Sequence, residues 1–263
     1  MAMATIIAIN MVKIDSMSAF TDLHTHILPG VDDGAKNLEK ALEMLRLQKA
    51  SGVDRVALTP HFYPLREEFQ AFLEKRQRAY DELLPNWDRE TMPDLRLGAE
   101  VHYSPTLVEL DLRSLTIGKS NYLLLELSDT AFPAHIEAIL KMMLQQGITP
   151  ILAHVERCVY FLEEPSRLVH LVEMGALAQV SSKSMVEKKR QKFVEICLKK
   201  SVAQIVASDI HDLWEEKYLL GNIAPNTDGK ITRAEDFAQA VWDNAPPPVY
   251  KVNPIKKTLF GYA

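Results

Sequence analysis

Two short pairs frame the chemistry open to this chain. His24-Thr25-His26 sets two imidazoles two residues apart, and Asp209-Ile210-His211 sets a carboxylate and an imidazole at the same spacing. Alternate residues of an extended chain point the same way, so each pair can grip one ion. A lone His-x-His reads equally well as two solvated or hydrogen-bonded histidines on a strand. The second pair, together with His61, Glu100, Glu126 and His154 at the ends of other apolar runs, tips the balance toward metal binding. Glu100 closes LRLGAE and Glu126 closes YLLLE, where an unpaired buried carboxylate is costly and calls for a cation. That cation is a metal held with the histidines, or else an arginine or lysine.

Arg157 lies three residues beyond His154. Its fork of donors suits a pair of phosphate oxygens, with a surface ion pair as the alternative. Asp32-Asp33-Gly34 follows the first pair, and by spacing alone either aspartate reads as a turn or helix-capping residue. His102, His135 and His170 have no partner in spacing and are read as structural or solvated. Cys158 and Cys197 form no zinc-knuckle, redox or disulfide spacing, and a reducing cytoplasm is the expected compartment.

These residues need elements that bring them together. Short segments rich in Val, Ile and Leu alternate with segments of helical period, the pattern of a parallel sheet with crossover helices. Strands are expected at 19–24, 54–59, 95–100, 121–126, 149–154, 176–181 and 202–209, seven in all. Leu38, Ala41, Leu42, Leu45 and Ala50 mark one helix ended by Gly52. Ile136, Ile139, Leu140 and Met143 mark another ended by Gly147, with further helices over 168–174 and 193–198. The metal-capable residues stand at the C-terminal ends of the strands, which is where a β/α barrel gathers its active site. One barrel over about 19–221 is expected within a single domain spanning 1–263, and the tail 222–263 reads as peripheral, with a turn-rich loop at 224–230 and a stiff stretch at 246–248.

The 263 residues are 47% hydrophobic and 25% charged, with a formal net charge of −5. That balance builds a large core but no basic field for nucleic acid or an anionic membrane. No apolar run approaches the roughly 20 residues of a membrane span, so membrane insertion is not expected. The first eighteen residues read as a leader or an extension of the first strand.

The ordered motifs DLHTHILPGVDDGAKN, TPHFYP, LGAEVHY, LLLELS, ILAHVER and ASDIHD resemble those of the polymerase-and-histidinol-phosphatase superfamily. More narrowly, HxHxxPGxDDG followed by TPH and AHxER is similar to the bacterial tyrosine-protein phosphatases encoded beside capsule and exopolysaccharide synthesis genes. The resemblance implies a distorted TIM-like barrel of seven β/α units with three divalent ions, manganese foremost, while the donor set is also compatible with iron or zinc. By motif, His24, His26 and Asp209 hold a first ion, and Glu100 bridges it to a second held by Glu126 and His154. Asp33, His61 and His211 hold the third, so the resemblance makes Asp33 a ligand. It implies metal-assisted hydrolysis in which water of lowered pKa attacks phosphorus, with Arg157 on the phosphate. The implied substrate is phosphotyrosine on a protein, such as the tail of a polysaccharide-assembly tyrosine kinase. Rival readings are a small-molecule phosphatase, such as one for histidinol phosphate, and a metal-stabilised interaction module without turnover. The segment 212–217 departs from the Arg-Pro pair that relatives carry after this motif.

Overall fold

The structure is a computed structural model that describes residues 19–258 and 261–263. The expected extension within residues 1–18 lies outside them. Strands β1 (Phe20–Thr25), β2 (Val53–Leu58), β3 (His61–Phe62), β4 (Asp94–Leu97), β5 (Glu100–His102), β6 (Tyr122–Glu126), β7 (Thr149–Leu152), β8 (Leu177–Ser181) and β9 (Ile205–Ala207) follow in chain order. Around them run α1 (Leu38–Ala50), α2 (Phe69–Leu83), α3 (Ile136–Gln145), α4 (Val159–Glu163), α5 (Pro165–Glu173), α6 (Ser182–Val186), α7 (Lys188–Lys199), α8 (Leu220–Ile223) and α9 (Lys230–Trp242).

Every neighbouring pair in the ring is parallel. One sheet runs β1-β2-β4 and the other β3-β5-β6-β7-β8-β9. Pro60 interrupts one stave between β2 and β3 because proline has no N–H for the ladder. The next stave breaks alongside it at Gly98-Ala99, so the expected strand 95–100 is two short strands. The amides of Gly98 and Glu100 still donate to Leu58 and Pro60 carbonyls at 2.8 and 3.0 Å, which keeps the two staves in register across the break. The ring closes where the Asp209 amide donates to the His24 carbonyl at 2.9 Å and the His26 amide to that of Ile210 at 3.0 Å. Counting each broken stave once gives seven, a distorted TIM-like barrel.

α1 and α3 lie where the apolar spacing put them. All four marked positions of α3 are buried, and Gly147 beyond it takes a left-handed φ of 71°. The strand expected at 202–209 shrinks to Ile205–Ala207, since Asp209 also turns left-handed, at φ 55°. The tail beyond Gly221 differs most from expectation. α9 buries Ala238, Val241 and Trp242 against Leu23, Ala57, Leu124, Ile151, Leu177 and Ile205, the inward apolar side chains of the staves. A helix with that face fills the N-terminal end of the barrel and is not peripheral.

Candidate metal centre

The opposite end of the barrel is polar. β1 delivers His24, with His26 directly after it, β3 His61, β5 Glu100 and β6 Glu126, while His154, Asp209 and His211 follow β7 and β9. His24 Nε2, His26 Nε2, Glu100 Oε2 and Asp209 Oδ1 face a common point. The histidine nitrogens are 3.1 Å apart, each lies 3.1–3.3 Å from the Glu100 oxygen, and each lies 3.2 Å from the Asp209 oxygen. Such separations are the edges of a coordination polyhedron with bonds of about 2.0–2.2 Å. All four side chains are buried, and neither carboxylate oxygen has a well-directed hydrogen bond among the described residues. Orphaned buried oxygens beside two imidazoles fit a divalent cation and are otherwise a liability.

Two further groups adjoin this one. Asp33, His61 and His211 come together with His26, the Asp33 Oδ1 lying 3.7 Å from His61 Nε2 and 3.5 Å from His211 Nε2. The rings of His26 and His211 stack with centroids 3.9 Å apart. His61, Glu100 and Glu126 form the other group, His61 Nδ1 being 3.0 Å from Glu100 Oε2. The set implied by resemblance there is Glu100, Glu126 and His154. His154 reaches the other face of Glu100, its Nε2 2.7 Å from Oε1, and lies 3.9 Å from Glu126 Oε1. All nine candidate ligands thus occupy one mouth, with Glu100 at its centre.

The charged groups of this cluster shift one another's protonation. Burial works against charge on His24, but Glu100 and Asp209 prevail and raise its pKa. Burial likewise opposes charge on His26, yet Asp32 and bonds to Asp209 and Glu100 push it well above the ordinary range. Glu100 and Asp209, which burial alone would raise, are held well below it by these histidines, and Asp209 also by Arg157. His211 is lowered by burial and by the charge on His26.

Several contacts support the mouth from behind. Asp32, read from spacing as a cap, accepts from His26 Nδ1 at 2.7 Å and from the amides of Gly34 and His61 at 3.0 Å. It therefore fixes which His26 nitrogen faces the cluster. Gly34 is required here because a Cβ would fall 1.8 Å from the His26 carbonyl oxygen. Gln179 Oε1 accepts from the His154 amide at 2.7 Å and lies 3.3 Å from His24 Nδ1. His102, expected to be structural or solvated, has Nδ1 2.8 Å from Glu126 Oε2 and so borders the cluster. The clue was its position two residues beyond Glu100, on the same side of an extended strand. Arg157 enters the site through an ion pair of Nη2 with Asp209 Oδ2. His135, at the N-cap position before α3, and His170, on α5, lie apart from the cluster.

Residues 20–245 match the family described as capsular polysaccharide synthesis, CpsB/CapC. The tyrosine-protein phosphatase YwqE of Bacillus subtilis is 30% identical over 204 residues, covering 73% of this chain and 77% of that protein. The tyrosine-protein phosphatase CpsB of Streptococcus pneumoniae is 30% identical over 210 residues, 73% of this chain and 83% of its own. A crystal structure from work on these two proteins, described as unique metal-dependent tyrosine phosphatases, superposes with a TM-score of 0.77 at 24% identity. It covers 90% of this chain and 99% of its own, and shares the fold.

Proposed function

The chain belongs to the capsular polysaccharide synthesis family CpsB/CapC, and from that premise we propose that it is a metal-dependent protein-tyrosine phosphatase serving capsule or exopolysaccharide synthesis. The carrying observation is the buried convergence of His24, His26, Glu100 and Asp209, whose inner oxygens lack partners. These four hold one ion. Glu100, Glu126 and His154 hold a second, and Asp33, His61 and His211 a third, with manganese the preferred metal and iron or zinc accepted by the same donors. When bound, such ions supply Lewis acidity at the phosphoryl group and lower the pKa of water toward about 7. The protein's own part is to fix the donors, exclude bulk water from the inner ones, and hold phosphate from the side.

Arg157 is the residue for that last task. Asp209 anchors one end of its guanidinium, and Asp209, Glu156 and Glu100 together overcome burial to hold its charge firmly. Its remaining donors suit a phosphate oxygen pair. Neither cysteine serves as nucleophile. Burial pushes the Cys158 thiol up to about 12 and raises Cys197 well above its ordinary value. The substrate is phosphotyrosine on a protein, with a polysaccharide-assembly tyrosine kinase as the proposed partner and the cytoplasm as the compartment. Among the described residues no helix is long and apolar enough to cross a membrane.

Stripped protein reloaded with manganese should hydrolyse a phosphotyrosine peptide in preference to histidinol phosphate, and Cys158→Ser and Cys197→Ser should retain that turnover. Loss of activity on chelation with no return on reloading would overturn the reading. Arg157→Ala should lower kcat/KM by about 10²–10³-fold, whereas a surface ion pair is worth only about 0–1 kcal/mol. Lysine at that position should restore part of the loss, since a point charge lacks the fork.

A further inference from the structure

α7 opens with Lys188-Lys189-Arg190-Gln191-Lys192, four cations in five positions of a chain whose formal net charge is −5. They stand where the helix macrodipole disfavours positive charge, and Glu187 before them makes no capping bond with its side chain. Among the described residues none of the four has a carboxylate within ion-pair distance, and the buried Arg190 Nε has no partner. The nearby acids are already committed. Glu187 accepts from the Tyr218 hydroxyl at 2.9 Å, while Glu215 accepts from the His211 amide at 2.8 Å and faces Lys183 Nζ at 3.4 Å.

This basic run borders the catalytic mouth. α6 leaves the C-terminal end of β8 and leads directly into α7, and the 3-10 turn Leu213–Tyr218 follows the candidate ligand His211. Lys183 joins the two walls, its ammonium 5.0 Å from the Trp214 ring centre and 5.2 Å from that of Tyr218. Trp214 is 62% exposed beside it. The segment that departs from the family's Arg-Pro pair thus presents an aromatic platform next to uncommitted positive charge.

The geometry points to a docking surface for an acidic polypeptide flank: the Lys188–Lys192 run and Trp214 hold the residues beside a phosphotyrosine while the mouth takes the phosphate. This rests on the phosphatase reading. A small phosphate ester fits the mouth alone, whereas charges and an exposed indole on the rim contact a substrate that extends out of it. Position beside the mouth favours such a substrate over an anionic membrane.

The test compares two phosphotyrosine peptides, one with Asp and Glu flanks and one with Ser and Ala, on the metal-loaded full chain, each normalised to a small aryl phosphate. The acidic peptide should be favoured by about tenfold in kcat/KM at low salt, mostly through KM, and the preference should shrink in about 0.5 M salt. Lys188→Glu combined with Lys189→Glu, both at exposed positions, should abolish it, and Trp214→Ala should weaken both peptides relative to the aryl phosphate. Equal efficiencies in the native protein, or a preference surviving the double substitution, would overturn the proposal. So would a double variant that loses binding to phosphatidylserine-containing vesicles while keeping its peptide preference, because the run would then be a membrane contact. If no aryl phosphate or phosphotyrosine is turned over, the phosphatase reading itself fails. Fluorescence anisotropy of the unphosphorylated peptides then decides docking alone, tighter acidic-peptide binding by the native chain supporting it and equal binding overturning it.

Discussion

The two ends of the barrel solve opposite problems. At the N-terminal end Trp242 and Val241 close over a ring of Leu, Ile and Ala side chains, with the Arg96 guanidinium 4.5 Å from the Trp242 ring centre and the Tyr122 hydroxyl donating to the Ala245 carbonyl at 2.6 Å. At the C-terminal end four titratable side chains crowd one point, with two buried oxygens left over. The first end is closed mainly by apolar contact, with a few polar contacts around it. The second gathers unpartnered buried oxygens beside imidazoles, a donor set that added positive charge would complete. Stability and chemistry are thereby separated along one axis, so substitutions at the two ends should be told apart by different measurements.

The largest effect is expected at the closed end. Trp242→Ala should cost about 3–5 kcal/mol in denaturant unfolding, the usual range for a truncated core aromatic, with metal stoichiometry unchanged in the folded fraction. Loss of metal in that fraction would mean that the ends are coupled. At the open end, Glu100→Gln should reduce turnover by more than about 100-fold, exceeding the usual loss from an outer-sphere residue, and elemental analysis should show fewer ions. Full occupancy in active Glu100→Gln protein would remove Glu100 from the ligand set.

Metal removal should be milder. An ion at about 100 times its Kd contributes about 2.7 kcal/mol, so stripping should lower Tm by roughly 5–10 °C. Its pH dependence has a definite sign. His26 has a folded pKa above its ordinary value near 6.5, so its contribution to the stripped protein is complete below about 6.5 and fades as pH rises through the folded value. Ion binding needs the neutral imidazole, and the Tm gap between loaded and stripped protein should therefore widen as pH increases. A gap that narrows would contradict the ligand role of His26. The smallest change belongs to Asp32→Asn, which should weaken metal affinity by about 10–100-fold while leaving ion number intact at saturation.

The stave order and the candidate ligands were legible because six of the seven expected strands are apolar runs leading to a histidine or carboxylate, the exception being 176–181, which ends in Ser181, and that rhythm survives any error in the ends. The breaks at Pro60 and Gly98 were harder, since a proline between Thr59 and His61 marks an interruption but not whether the stave resumes. α2 carried a readable signal in Phe72, Arg76, Ala79 and Leu83, all buried at spacings of three and four, but the arginine hides the apolar face. Arg76 is buried because its guanidinium donates to the carbonyls of Gly98 and Ser114, at 2.9 and 2.7 Å. α9 is rich in alanine, so its inward face shows little hydropathy contrast until Trp242 is seen filling the barrel. The different places of Asp32 and Asp33 turn on which carboxylate faces His26 Nδ1, a matter of loop geometry that spacing leaves open.

The seam where the ring closes runs through the ligands themselves. His24 and His26 are among the first described residues of the chain, and Asp209 follows its last barrel strand, yet backbone bonds between them and the central donor set share the same few residues. An ion at the central position would therefore report on whether the whole ring has been assembled. A chain still emerging from the ribosome lacks that donor set until Asp209 has been added, and opening the seam would pull the donors for an ion apart. On the proposed metal reading, a bound ion would thus double as a mark of completed folding.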